Sequence, residues 1–240
     1  VTLSVIIGTI NQAALVKCCI EEVRRLATGD VEIVLVDNGS TGKDGEMLER
    51  IGERMADQYL HYGLPLGYAA AYNAGIAAST GEYVMLLNND AWPTQRGWDA
   101  RLISVLEQVP EAMLVSPTMP RVAWGHQRAS GPQPAADCTV RLAPRVAFVA
   151  PLLSRSTWET LGPLDTRFEV GGYEDDDYCE RILQAGGQVL VDPAVWFFHV
   201  SGVTMMAQYE DVLPGNRQLF AAKWGLVDGQ AGTNLYYEKG

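Results

Sequence analysis

Three short runs of nearly unbroken apolar residues near the start of the chain each stop at a polar turn. Leu3-Ser4-Val5-Ile6-Ile7 runs into Gly8-Thr9-Ile10-Asn11, Val31–Val36 into Asp37-Asn38-Gly39-Ser40, and Tyr83–Leu87 into Asn88-Asn89-Asp90. Runs without polar alternation suit strands buried on both faces, which means parallel strands. Between them the apolar spacing changes to that of helices. Leu15, Cys19, Val23 and Leu26 share one face, Met47, Leu48, Ile51 and Met55 another, and Tyr68–Ala78 is alanine-rich. Tyr59–Tyr62 reads as a further short strand, Trp98–Gln108 as a helix and Met113–Ser116 as a strand. This alternation predicts an α/β fold: a mostly parallel, Rossmann-like sheet with helices on both faces. Right-handed crossovers bring the C-terminal ends of such strands to one edge, where open α/β sheets bind ligands. The three polar turns should therefore converge.

The second half is less regular. Residues 117–134 are rich in Pro, Gly and Arg and read as an excursion. Strands are expected at Val146–Leu153, Gln188–Val191 and Val195–His199. Helices are expected at Ser156–Leu161, Glu174–Ala185 and Gln208–Trp224, the last interrupted near Pro214-Gly215. No repeat or linker divides the 240 residues, so one domain is expected, with 1–118 as its first half and 119–240 as its second.

Charge is unevenly spread over these halves. The net charge is −11, yet residues 121–155 hold five arginines and one aspartate, while 156–212 hold eleven acids against two bases. A chain this acidic is not built to bind a nucleic-acid polymer. A small anionic substrate remains compatible, because a bound cation reverses the local sign. The four cysteines form no CxxC pair and read as buried reduced thiols. No apolar run approaches the roughly 20 residues that span a bilayer. The expected location is cytoplasmic, with peripheral contact at the cytoplasmic face of the membrane as the alternative.

Several nucleotide motifs are missing. The turn after the first strand offers Gly8 alone, not G-x-G-x-x-G, and Gly42-Lys43 lacks the rest of a P-loop. H-E-x-x-H and G-x-S-x-G are absent. If phosphates bind here, something other than glycine amides must neutralise them. Asp90, just past a buried strand, can hold Mg²⁺ or Mn²⁺, although Asn/Asp turns also occur for backbone reasons. Asp37 likewise reads as a turn former or as an acceptor for a base or ribose. Glu174-Asp175-Asp176-Asp177 opens a helix, where the dipole favours an acid or two but hardly four. Helical spacing aligns Asp175 with Cys179 and Ile182 on the inward face and sends Asp176 outward. A desolvated carboxylate among like charges suits general-base work. His199 ends an apolar strand, as a packed core residue or a metal ligand.

Taken together, Ser4-Val5-Ile6-Ile7…Thr9…Asn11, Val34–Thr41, Gly67-Tyr68-Ala69-Ala70-Ala71…Asn73-Ala74-Gly75 and Leu86-Leu87-Asn88-Asn89-Asp90 resemble the nucleotide-sugar half of family 2 glycosyltransferases. Leu161–Asp165, Glu174–Asp177…Cys179…Arg181…Gly186 and His199…Gly202 resemble the acceptor half, the rhamnosyltransferase-like branch in particular. The resemblance implies a GT-A fold with an acceptor-side extension, a divalent metal (Mn²⁺ or Mg²⁺), a nucleotide-diphosphate sugar donor and a saccharide or lipid-linked acceptor. It implies an inverting transfer, in cell-surface polysaccharide or glycoconjugate synthesis. It assigns Thr9, Asn11, Asp37, Gly67, Asn73, Asn88, Asn89 and Asp90 to the nucleotide, with Asp37 reading the base and Asn88 facing the ribose. Asp90 and His199 would hold the metal, and Asp175 would be the general base. Trp92, Tyr173 and Glu174 are candidate acceptor contacts, with Trp196 a further aromatic that could stack on a sugar. The family's usual Pro-Thr-Tyr-Asn is here Gly8-Thr9-Ile10-Asn11, so its aromatic contact to base or ribose is missing, and Asn88 replaces the first carboxylate of D-x-D. A sugar nucleotidyltransferase would need a glycine-rich, basic turn after the first strand. A non-catalytic binding module would be expected to lack Asp90 or Asp175.

Overall fold

The first strand, β1 (Thr2–Thr9), is flanked by β2 (Asp30–Asn38) and β4 (Tyr83–Asn88), both parallel to it. Its alternate side chains enter different cores. Val5 and Ile7 pack with Ile33 and Leu35 beneath α1 (Ala13–Leu26) and α2 (Gly42–Met55). Ile6 packs with Val34 and Val36 beneath α3 (Tyr68–Ala78). Burial on both faces explains the unbroken apolar runs, each buried Ile or Val contributing about 1.5–3 kcal/mol. β3 (Gln58–Tyr62) pairs parallel with β2 at the sheet's edge.

The computed structural model describes residues 2–132, 138–201 and 206–226, without side chains for 206–210. Beyond β4 come β5 (Ala91–Pro93), α4 (Trp98–Gln108), β6 (Ala112–Thr118), a 3₁₀ turn at Gly125–Gln127, β7 (Arg141–Leu142) and β8 (Leu152–Ser154). These are followed by α5 (Arg155–Leu161), α6 (Glu174–Gln184), β9 (Gln188–His199) and α7 (Met206–Trp224). The strand order is β3-β2-β1-β4-β8-β6-β9-β5, with β7 on β9. β8 runs antiparallel to β4 and β6, and β5 and β7 antiparallel to β9; the other pairs are parallel. The parallel ladders are the long ones, so the sheet is mixed but parallel over most of its paired residues, with helices on both faces.

Three expectations for the second half are corrected, and one for the cysteines. Of Val146–Leu153, only its end joins a strand. Residues 149–151 do lie along β4, where Asn88 N–H donates to Val149 O and Leu86 N–H to Pro151 O, but Pro151 has no N–H to continue the ladder. The two strands expected at 188–191 and 195–199 are one, β9, with a register shift opposite Pro117/Thr118. Helix α7 continues through Pro214. Among the described residues it is anchored by Leu213 just before the proline and by Asn216, Phe220, Lys223 and Trp224 beyond it. Cys19 and Cys179 are buried thiols, whereas Cys18 and Cys138 are only half-buried.

Candidate active site

The polar turns after β1, β2 and β4 meet and bond to one another. Asn89 Nδ2 donates to Thr9 Oγ1 (2.8 Å), which donates to Asn11 O. Asn11 N–H donates to Ser40 Oγ (2.6 Å), and Thr41 N–H donates to Asn11 Oδ1 (3.2 Å). This ties the turn after β1, where Asn11 and Gln12 both have positive φ, to the turn after β2. Asn38 pins the next loop by accepting from Leu66 N–H at 2.7 Å. Gly39, at φ +99°, lets Pro65 approach to where a Cβ would be 2.7 Å from its nitrogen. At Gly8, a Cβ would stand 3.1 Å from the Tyr72 ring. Tyr72 fills that space and donates to Leu87 O (2.9 Å), with Asn88 Oδ1 at 3.3 Å.

Asp37 departs from expectation. It is completely buried, and both carboxylate oxygens are occupied. Oδ1 accepts from Ser40 N–H (2.9 Å), and Oδ2 lies 3.1 Å from Tyr59 Oη and 3.0 Å from His61 Nδ1. Burial, then the Asp37 charge, raises the Tyr59 phenol, so it remains a donor. Asp37 therefore presents no oxygen to a ligand. Asn73 is also committed: its amide donates to Leu164 O (2.9 Å) and accepts from Leu164 N–H (3.0 Å).

Asp90 and His199 are brought together from 109 residues apart in sequence because β5 pairs with β9, setting Ala91 opposite His199. His199 Nε2 lies 3.4 Å from Asp90 Oδ1, and both side chains are buried. Asp90 Oδ2 accepts from Ser201 N–H at 3.2 Å. On the other face of β5 and β9, Trp92 and Phe198 are ring neighbours at 5.1 Å, with Trp196 beside Phe198.

Glu174–Asp177 form the first turn of α6. All four are buried, Asp176 included, contrary to the outward placement expected for it. Helix periodicity could not show that Arg145 covers that face: it reaches Asp176 Oδ1 at 3.5 Å while its guanidinium lies over Trp124. The acidic and basic segments thus meet here. Burial, and next the charge of Asp175, push the Glu174 and Asp176 carboxyls well above the ordinary range. The cluster therefore avoids carrying four charges. Asp177 pairs with Lys223 (2.7 Å) and accepts from Trp224 Nε1 (3.0 Å). Asp175 Oδ1 accepts from Asp176 N–H at 2.9 Å.

The loop before α6 is strained, with positive φ at Val170, Gly171, Gly172 and Tyr173. It touches the start of α3, where Tyr68 N–H donates to Val170 O and Gly67 lies against Val170. α7 holds it from behind: Asn216 Nδ2 lies 3.1 Å from the carbonyls of Glu169, Gly171 and Gly172. Tyr173 is buried against Phe220 and Phe168, so the face expected to stack on a sugar is covered. The roles of His61, Arg145 and Asn216 were missed in the sequence, since each depends on a partner 24 or more residues away.

A sequence model of glycosyl transferase family 2 matches residues 4–133, more than half of the chain. The chain belongs to glycosyltransferase family 2. The chain is 28% identical over 176 residues to a PGL/p-HBAD biosynthesis glycosyltransferase of Mycobacterium bovis, covering 70% of the chain and 64% of that protein. It is 30% identical over 189 residues to a pre-mycofactocin glycosyltransferase of Mycobacterium tuberculosis, covering 73% of the chain and 39% of that protein. The chain thus spans less than two thirds of either relative. Among solved structures it resembles a mannosyltransferase from Pyrobaculum calidifontis in complex with GDP-Man and Mn²⁺, with a TM-score of 0.71 at 20% identity, covering 92% of this chain and 63% of that one. It also resembles GalNAc-T7 with UDP, GalNAc and Mn²⁺, with a TM-score of 0.66 at 18% identity, covering 92% and 50%. The fold of the chain is GT-A.

Both neighbours are described with Mn²⁺, and the Asp90–His199 pair fits such an ion. His199 Nδ1 lies 2.5 Å from Arg121 O, a carbonyl that can only accept. Nδ1 therefore carries the proton, and the Nε2 lone pair faces a carboxylate oxygen. Two buried acceptors facing each other call for a cation between them or a proton on Nε2. Among the described residues no group of three or more His, Cys, Asp or Glu side chains is arranged to hold a metal ion. A site with two protein ligands is suited to Mg²⁺- or Mn²⁺-type ions that take further oxygens from phosphates. Among the described residues no helix is long and apolar enough to cross a membrane.

Proposed function

We propose that this glycosyltransferase moves a sugar from a nucleoside-diphosphate donor to an acceptor hydroxyl with inversion, in glycoconjugate or polysaccharide assembly and with a hexosyl or rhamnosyl donor. The observation that carries the reading is the buried Asp90–His199 pair at the ligand edge of the sheet, two acceptor atoms 3.4 Å apart. Asp90 and His199 would hold Mn²⁺ or Mg²⁺. When bound, the ion supplies the positive charge that an acidic protein lacks for a diphosphate.

The chain's own groups then do the rest. The bonded turns of Thr9, Asn11, Ser40 and Asn89 form a rigid rim that orients the donor. Asn88, half-exposed beside Tyr72, faces the ribose. Asp175 takes the proton from the acceptor hydroxyl as its oxygen bonds to the anomeric carbon and the bond to the diphosphate oxygen breaks. Glu174 and Asp176, held toward their neutral forms, leave Asp175 without full competition from like charge. The aromatic ladder of Trp92, Phe198 and Trp196 offers faces on which an acceptor sugar can stack.

Calorimetry with UDP-, dTDP- and GDP-sugars, with Mn²⁺ and with EDTA, tests the reading. Binding of at least one donor is expected in Mn²⁺ and its collapse on chelation. Binding unaffected by chelation, or no binding of any donor, refutes it.

A further inference from the structure

The resemblance gives base recognition to Asp37, yet that carboxylate is sealed behind its partners. We infer that His61, on the edge strand β3, is the residue that reads the nucleobase, with Asp37 as its positioning partner. The inference rests on the proposed donor. β2 and β3 set Asp37 opposite His61, one residue from the C-terminal end of each strand. That end is the ligand edge. Asp37 is completely buried, whereas the His61 side chain is half-exposed. The carboxylate already accepts from Ser40 N–H and Tyr59 O–H, and His61 Nδ1 stands 3.0 Å from Oδ2.

A carboxylate oxygen facing Nδ1 makes Nδ1 the protonated nitrogen of the ring. The lone pair then sits on Nε2, and the buried charge of Asp37 increases its strength as an acceptor. The surface at this point therefore offers one oriented acceptor, an imidazole nitrogen. Such an acceptor selects a base that carries a ring N–H on its pairing edge: uracil and thymine at N3, guanine at N1. Cytosine and adenine have a lone pair at the corresponding position and would meet Nε2 with like polarity. The loop Gly63–Gly67, held by Asn38 and carrying the exposed Leu64 and Leu66, follows β3 directly and can cover the base face.

The test uses the whole chain and the nucleotides UDP, dTDP, GDP, CDP, ADP and N3-methyl-UDP in Mn²⁺, with Kd measured for wild type and two variants. His61→Asn places an amide N–H where Nδ1 stood, so Asp37 keeps its partner while the outward acceptor is lost. His61→Gln places an amide oxygen near the Nε2 position and serves as the rescue. Wild type should prefer a base with a ring N–H over CDP and ADP by about tenfold, the scale of one oriented hydrogen bond. N3-methyl-UDP should bind as weakly as CDP if UDP is the preferred nucleotide. His61→Asn should erase the preference while binding keeps its Mn²⁺ dependence, and His61→Gln should restore part of it. If wild type binds nucleotides in Mn²⁺ but His61→Asn has the same base ranking, the His61 assignment fails and the donor reading stands. If wild type binds none of the six, both fail together.

Discussion

The turns after β1, β2 and β4 and the start of α6 handle buried polar groups in opposite ways. In the turns nearly every polar atom has a partner: Asp37 faces three donors, and Thr9, Asn11, Ser40 and Asn89 bond to one another. At the start of α6, Glu174 Oε2 and Asp176 Oδ2 are buried without a hydrogen-bond partner, and the loop before them holds four successive positive-φ residues. The first region is rigid because its bonds close on themselves. The second is held from outside by α7 and Arg145. Rigid, satisfied turns suit a site that must recognise the same donor each time. Strain and unpaired carboxylates suit a site that must change protonation.

The largest effect expected from breaking this contrast is at Asp175. Asp175→Asn keeps the shape of the α6 start and removes the proton acceptor. Transfer should fall by at least about 100-fold, within the usual range for losing a general base. Donor Kd in Mn²⁺ should stay within about twofold. Retained turnover, measured as release of nucleoside diphosphate in the presence of acceptor, would show that Asp175 is not the base. A parallel loss of donor affinity would show that the two regions are not separable.

A smaller effect should follow from loosening the external clamp. Asn216→Leu keeps the size of the side chain but leaves the carbonyls of Glu169, Gly171 and Gly172 without their shared donor. The cost should be about 1–3 kcal/mol of stability, with transfer reduced about tenfold and donor Kd unchanged. Thermal melts and the kcat against donor-affinity split read both parts. If donor affinity falls as well, α7 supports the donor turns and the contrast between the regions weakens.

The same contrast explains what could be read from the sequence. The strands β1, β2 and β4 announce themselves because both of their faces are buried, which forces unbroken apolar runs. β5 does not, because Ala91-Trp92-Pro93 forms a strand only against β9, and a proline argues against one. Residues 146–151 are apolar for another reason: they are buried in the core between elements without continuing a ladder. The Asp90–His199 pairing was available only through the family resemblance, since β5 and β9 meet by topology. Local helix periodicity misplaced Asp176, because the Arg145 segment covers a face that an isolated helix would leave to water. Two of the three partners of Asp37 lie on the next strand, and those of Asn216 are more than 40 residues away. Local pattern carries the sheet and its loops, while the protonation and accessibility of the site residues come from long-range packing.

The smallest effect is also the most direct probe of that difference. The Glu174 carboxyl is pushed well above its ordinary value by burial, then by the charge of Asp175, against the backbone N–H groups of Glu174 and Gly172 that lower it. A carboxyl raised on folding binds its proton more tightly in the folded chain than in the unfolded one. Its contribution is fully favourable below the unfolded value and is lost as pH rises through the folded value. Glu174→Gln holds the side chain neutral at every pH, so it escapes that loss. The variant should therefore melt higher than wild type at pH 8, by about 2–4 °C for each kcal/mol recovered. The gain should shrink as pH falls and vanish near pH 4, where wild type is protonated in both states. A melting difference independent of pH, or a variant less stable than wild type at pH 8, would mean that burial does not hold this carboxyl toward neutrality. The four acids would then share their charge as freely as surface residues, and the distinction between the two regions would rest on backbone strain alone.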